Sequence, residues 1–178
     1  KIAHALGMKI IAFNKQPASL LVEKYQVKFV SFDVLIRESD IITIHLPLTE
    51  EMYHLIDKKA ISKMKKGVYI INTARGGLID IVALAKAIED GHVGGAALDV
   101  IEAEELIAHE DDILKKDVNT DKIKQAFIGN ILLQKDNVII TPHVAYNTED
   151  ALRRITAKTI ATINELKKGK TDLHNRVV

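Results

Sequence analysis

The stretch Val68–Asp80, VYIINTARGGLID, runs from an apolar segment into an arginine, two glycines and the start of a helix. Val68 to Asn72 shows almost no alternation of apolar and polar residues, the pattern of a strand in a parallel sheet with helices on both faces. Asp80 stands where an N-cap belongs, ahead of the helical pattern IVALAKAIED, and Gly91 stops that helix. Strand, short loop and helix therefore follow one another, the repeating unit of an α/β fold. An arginine set between a strand end and a flexible glycine pair has two readings. It is a surface residue in a turn, or it holds an anion, for which its planar fork of N–H donors is suited.

The same rhythm extends in both directions. KIAHALGMKIIAF reads as a helix end, a glycine stop at Gly7 and a strand over Met8 to Phe13. The chain thus begins inside an element, as expected of a piece of a longer protein. Pro17 opens a helix that runs to Tyr25, Val27–Val30 is a strand, Phe32–Ser39 a helix and Asp40–Leu46 a strand. Thr49 caps a turn carrying Glu50 and Glu51, and Asp57 caps a helix reaching Lys66, just before Gly67. Gly94–Val100 and Asn137–Thr141 are further strands. Thr148 caps a long final helix with Leu152, Ile155, Thr159, Ile163 and Leu166 on one face. The alternation predicts a doubly wound parallel sheet of the Rossmann-like kind. Residues 102–137 break the rhythm, being long, charged and mostly helical in pattern. They read as an inserted excursion, either solvated surface or a wall beside a site.

Composition narrows the function classes. With 178 residues, 47% of them hydrophobic, the chain can build one domain with a sizeable core. Its 25 basic and 24 acidic residues nearly cancel, so no nucleic acid or membrane surface is expected as a partner. Aromatics at 4% also argue against stacking platforms for single-stranded nucleic acid. The absence of cysteine excludes disulfides and thiolate metal sites, and no metal is expected. No apolar run approaches the ~18–20 residues of a membrane span. No signal peptide is read at the start, and a cytoplasmic location is the expectation.

In an open parallel sheet, ligands bind outside the carboxyl ends of the strands. Those ends carry Asn14, His45 with Leu46 and Pro47, Thr73 to Gly77, Asp99 with Glu102 and Glu104, and Thr141 to His143. Three of them form a chemical set. Arg75 can grip a carboxylate through two parallel hydrogen bonds. His143, fixed by the preceding Pro142, can take or give a proton near neutral pH. A carboxylate such as Glu104 would stabilise the protonated imidazole. Each also has a plainer reading, His143 as a core histidine and Glu104 as a helix-start acid. His4, His54, His92, His109 and His174 have no such company in the sequence and read as structural.

INTARGGLID, GGAALDVIEAEE and NVIITPHVAYNTEDALRR, in that order, resemble the D-isomer-specific 2-hydroxyacid dehydrogenase family, and DIITIHLPLT resembles the strand before them. The resemblance implies an NAD-dependent oxidoreductase that moves a hydride between the cofactor and a small D-2-hydroxy acid or 2-keto acid. It makes Arg75 the carboxylate clamp, His143 the acid/base, and Glu104 the partner of His143. His45, Leu46, Pro47, Thr73, Ala74, Arg75, Asp99, His143 and Asn14 would line the cofactor. TPHVAYNT, with Tyr146 beside the substrate, is closer to D-lactate dehydrogenase-like members, which places D-lactate and pyruvate first. A homodimer is implied.

The resemblance also assigns residues 1–150 to the NAD-binding domain and 151–178 to a helix and tail returning toward a substrate domain. The family's glycine-rich phosphate loop and first strand would precede Lys1. Where the family usually ends its second strand with an acid that bonds the ribose, this chain has Asn14 followed by Lys15, which leaves NADP open beside NAD. Met52 stands where the family often has a polar contact to the cofactor. Co-repressors that sense dinucleotides share the same motifs, so a binding protein of this fold is the alternative.

Overall fold

A computed structural model describes residues 1–14, 19–104 and 119–169. The chain divides into two compact units, Lys1–Ile140 and Thr141–Val178. In the first, β1 (Ile11–Ala12) pairs in parallel with β2 (Lys28–Phe29). A second sheet joins β3 (Ile41–Ile44), β4 (Val68–Asn72), β5 (Val93–Leu98) and β6 (Val138–Ile140), all parallel and in that order. Six described helices accompany them: α1 (Ile2–Ala5), α2 (Ser19–Tyr25), α3 (Phe32–Glu38), α4 (Lys58–Ser62), α5 (Ile81–Glu89) and α6 (Thr120–Leu133). This is the parallel, Rossmann-like architecture that the alternation predicts.

Local chemistry sets the helix starts. Asp80 Oδ1 accepts from Val82 N and Ala83 N, both at 3.0 Å, and Asp57 Oδ1 accepts from Ala60 N at 2.6 Å. Thr49 sits at the head of a 3-10 turn, Glu50–Met52, but its side chain makes no capping bond there. Several elements are shorter than their patterns, β1 and α4 the most. β1 occupies only the last part of Met8–Phe13, because its described ladder bonds run to the two-residue β2. α4 stops at Ser62 rather than Lys66, since Gly67 N donates to His92 O at 2.7 Å and draws the chain toward the start of β5.

The register explains which residues form the core. Ile42, Ile70, Ala96 and Val138 share one row, and Ile44, Asn72, Leu98 and Ile140 the next row on the same face. Ile36 of α3, Ile61 of α4, Leu84 and Ile88 of α5, and Leu132 of α6 pack into that core. The opposite face differs from expectation. Ile41, Tyr69 and Ile139 stay 44%, 53% and 66% exposed, although VYIIN reads as a strand covered on both sides. Apolar character in β4 thus reports burial of Val68 and Ile70 and partial burial of Ile71, but not burial of Tyr69.

The second unit is led by α7 (Glu149–Lys167), capped by Thr148 Oγ1, which accepts from Ala151 N at 3.2 Å. Glu149 and Asp150 occupy its first turn, where the helix dipole favours negative charge. Its apolar residues Leu152, Ile155, Ile163 and Leu166 are exposed. Of the expected excursion over 102–137, α6 covers Thr120–Leu133, while 105–118 lie outside the described residues. No described helix is long and apolar enough to cross a membrane.

Candidate active site

Because Ile44, Asn72, Leu98 and Ile140 are register partners, the carboxyl ends of β3 to β6 lie level. His45, Thr73 and Asp99 therefore leave the sheet along one edge. A cleft of about 710 Å³ opens there, lined by His45, Leu46, Pro47 and Leu48 on one side and by Thr73, Ala74 and Arg75 on the other. Six residues singled out in the sequence, from two loops almost thirty positions apart, thus share one cleft. The His45 ring is oriented by Thr43, whose Oγ1 lies 2.9 Å from Nε2.

The loop that carries Arg75 is fixed from beneath. Asn72, fully buried, donates from Nδ2 to Arg75 O at 2.9 Å, and its Oδ1 accepts from Ala74 N at 3.0 Å. Asn72 O in turn accepts from Asp99 N at 2.9 Å, tying β4 to the buried Asp99 at the end of β5. The Arg75 side chain is exposed, and Nη1 donates to Ala74 O at 2.7 Å. Gly76 then passes so close to the next loop that a Cβ would lie 2.3 Å from the carbonyl carbon and oxygen of Ile101. Only glycine allows that approach.

Glu104 is half-buried, and its Oε2 accepts from Ile101 N at 3.4 Å. The residue before it, Ala103, has φ of 56°, a left-handed conformation that a side chain with Cβ adopts at a cost. Asn14 is exposed just beyond β1, and Lys15 lies outside the described residues. Met52 packs partly buried against the core and offers no polar contact. In the second unit, His143 also has a left-handed backbone, φ 53°, and its N donates to Thr141 O at 2.9 Å. Tyr146 follows in the turn leading to α7, its carbonyl accepting from Thr148 N at 2.8 Å. Arg75 and Glu104 thus belong to the first unit, and His143 and Tyr146 to the second.

Two polar centres received no role from the sequence, although Glu102 stands there among the polar residues at the strand ends. Asn72 is one, and a polar residue closing an apolar strand beside an arginine was its only signal. Glu102 is the other. Buried at 7% exposure, it accepts from Tyr53 Oη at 3.1 Å and His54 Nε2 at 2.7 Å through Oε1, and from Ile81 N at 3.2 Å through Oε2. Partial desolvation, and then the neighbouring Glu102 charge, push the half-exposed Tyr53 phenol above its usual range. With His54 and Glu102 48 positions apart, no local pattern announces the pair. Among the described residues, no buried side-chain nitrogen or oxygen lacks a partner, and no cluster of His, Asp and Glu could hold a metal.

A parallel sheet with a ligand-sized cleft along its carboxyl edge defines a Rossmann-like nucleotide-binding domain. The chain belongs to the D-isomer specific 2-hydroxyacid dehydrogenase family, whose NAD binding domain model matches residues 1–145. It is 42% identical over 154 residues to a D-specific alpha-keto acid dehydrogenase of Enterococcus faecium, covering 86% of this chain and 44% of that protein. A hydroxypyruvate reductase of Thermotoga maritima is 41% identical over 163 residues, covering 92% of this chain and 46% of its own length. Among solved structures, D-lactate dehydrogenase from Aquifex aeolicus complexed with NAD and lactic acid superposes with a TM-score of 0.81 at 41% identity. That match covers 93% of this chain and 48% of the other. The chain spans about half the length of the relatives it matches.

Proposed function

We propose that the complete protein is an NAD-dependent D-2-hydroxyacid dehydrogenase acting on a small 2-keto acid or 2-hydroxy acid, with pyruvate and D-lactate as the first pair. The reading rests above all on one observation, the cleft that gathers His45–Leu48 and Thr73–Arg75 at the level carboxyl edge of β3 and β4. Its volume and its mixed wall, apolar at Leu46–Leu48 and polar at His45, Thr73 and Arg75, suit a flat heterocycle with a small acid beside it. The cofactor, when bound, supplies or accepts the hydride. The relatives support the reaction class and spread across alpha-keto acids, hydroxypyruvate and lactic acid, so the choice of pyruvate leans on the D-lactate-like TPHVAYNT segment.

In this reading the residues divide the work. Arg75 holds the substrate carboxylate through paired N–H donors and aligns the carbonyl carbon, its backbone kept still by Asn72. His143 gives a proton to the carbonyl oxygen in reduction and takes it back in oxidation. Glu104 stabilises the imidazolium and orients its ring. Thr73, Ala74, Asp99 and the segment His45–Pro47 line the nicotinamide side, Asn14 reaches the adenosine ribose, and Tyr146 flanks the substrate. Residues 1–150 form the NAD-binding domain and 151–178 lead toward a substrate domain, in a cytoplasmic homodimer.

The test follows NADH oxidation by the complete gene product with pyruvate, hydroxypyruvate and larger 2-keto acids, with His143→Ala as control. Turnover that disappears in the variant supports the dehydrogenase and ranks its substrates. Tight NADH binding without turnover on any 2-keto acid would instead mark a dinucleotide-sensing binding protein.

A further inference from the structure

The turn after Arg75 is held from two sides. On one side His54 N donates to Gly77 O at 2.8 Å and Ile56 N to Leu78 O at 3.0 Å, while Asp80 N donates to Ile56 O at 3.1 Å. On the other side Gly76 abuts the backbone of Ile101 and Glu102. The Glu102 side chain, 5% exposed, joins both sides through its bonds to Tyr53, His54 and Ile81. With the Nε2–H tautomer of His54, the carboxylate accepts from all three groups.

Burying a carboxylate is costly, and an apolar side chain of similar size would serve a core as well or better. Here the acid has three donors from two segments: Tyr53 and His54 of the turn after β3, and Ile81, the first residue of α5. Strain sits at the same point. His54 has φ of 54° and Ala103, next to Glu102, has φ of 56°. Such conformations persist where the surroundings over-determine them, and they gather at sites that must hold a geometry. Tyr53 and His54 stack with ring centroids 3.9 Å apart, which leaves the imidazole little room to turn away. Neither His54 nor Glu102 lines the cleft.

We infer that His54 and Glu102 are a positioning pair that locks the turn carrying Arg75 to the loop carrying Glu104, so that the two keep a fixed spacing when a substrate carboxylate binds. The inference rests on the reading of Arg75 as the carboxylate clamp. It extends that reading to two residues whose effect passes through the backbone of Gly76–Ile81.

The test uses the complete protein with His54→Leu, His54→Gln and Glu102→Gln. Loss of the His54 donor should raise KM for pyruvate on the order of tenfold while the NADH dissociation constant moves less than about twofold. In His54→Gln, whose amide N–H can take the place of Nε2, KM should return to within about threefold of the unmodified protein. Hydrogen exchange at the amides of Gly77 to Ile81 should quicken in His54→Leu and Glu102→Gln. This readout needs no turnover, so it supports or overturns the lock even if the dehydrogenase reading fails. Unchanged exchange together with unchanged KM would overturn the inference. So would a His54→Leu variant that loses NADH affinity and thermal stability in step with KM and is not rescued by glutamine, since the pair would then merely stabilise the fold.

Discussion

Asn72 holds the backbone on both sides of the Arg75 peptide, giving one hydrogen bond to Arg75 O at 2.9 Å and receiving one from Ala74 N at 3.0 Å, with no exposure to solvent. An exposed arginine is thereby mounted on a rigid base. Asn72→Leu leaves a carbonyl and an N–H without these partners, which should cost about 1–3 kcal/mol of stability. If Arg75 is the clamp, KM for a 2-keto acid should rise as well. Asn72→Asp should be worse, because it sets a buried negative charge against a carbonyl oxygen. Thermal unfolding and steady-state kinetics of the two variants check this. A Leu variant indistinguishable from the parent in both would refute the base.

The two glycines after Arg75 are not equivalent. A Cβ on Gly76 would meet Ile101 backbone at 2.3 Å, whereas on Gly77 it would meet the Leu48 and Tyr53 side chains at 3.2 and 3.3 Å. Side chains can give by a few tenths of an ångström, and a packed backbone cannot. Gly76→Ala should therefore destabilise by about 1–3 kcal/mol or more and displace the Arg75 loop, with Gly77→Ala clearly milder. Equal melting temperatures for the two variants would contradict the geometry.

The Tyr53 phenol is held above its ordinary value of 10.0, first by partial desolvation of a residue that stays 53% exposed and next by the negative Glu102. A proton held more tightly in the folded state stabilises that state below the unfolded value, and the contribution is lost as pH rises through the folded value. Glu102→Gln removes the charge and leaves the burial, so the Tyr53 value should fall only part of the way back. Ultraviolet titration of phenolate, with Tyr53→Phe as the subtraction, measures it. A value that drops fully to the ordinary range would mean that burial is not the leading cause.

Much of this architecture is legible in the sequence, and the reasons are local. The βα rhythm, the caps at Asp57, Asp80 and Thr148, and the strand Val68–Asn72 all follow from periodicity and short-range hydrogen bonding. The strand ends could also be read as an edge, and His45–Pro47 and Thr73–Arg75 do share a cleft. What escaped depends on distance. The exposure of Tyr69 reflects which elements cover the sheet, information a run of apolar residues does not hold. The Glu102 hub joins positions about 20 and 50 residues apart, and His54 looks solitary until the chain is folded.

If Asn14 faces the adenosine ribose as proposed, it bears on cofactor choice. An acid at this place would disfavour a 2′-phosphate by charge, and a neutral amide does not. Asn14→Asp should shift the ratio of kcat/KM toward NADH over NADPH by about tenfold, the scale of one charge–charge contact near a surface. An unchanged ratio would show that Asn14 does not face the ribose.

The central measurement is kcat/KM for NADH-dependent pyruvate reduction by the complete protein with Arg75→Lys and Arg75→Ala. Arg75 is exposed, so the melting temperature should stay put while the chemistry fails. Charge-assisted bonds of ~1.5–3 kcal/mol each predict a loss beyond about hundredfold for alanine. Lysine should recover only a minor part, because a point charge cannot reproduce two parallel bonds. A loss below about tenfold in Arg75→Ala would contradict the carboxylate clamp and, with it, the assignment of this sheet edge as the substrate site.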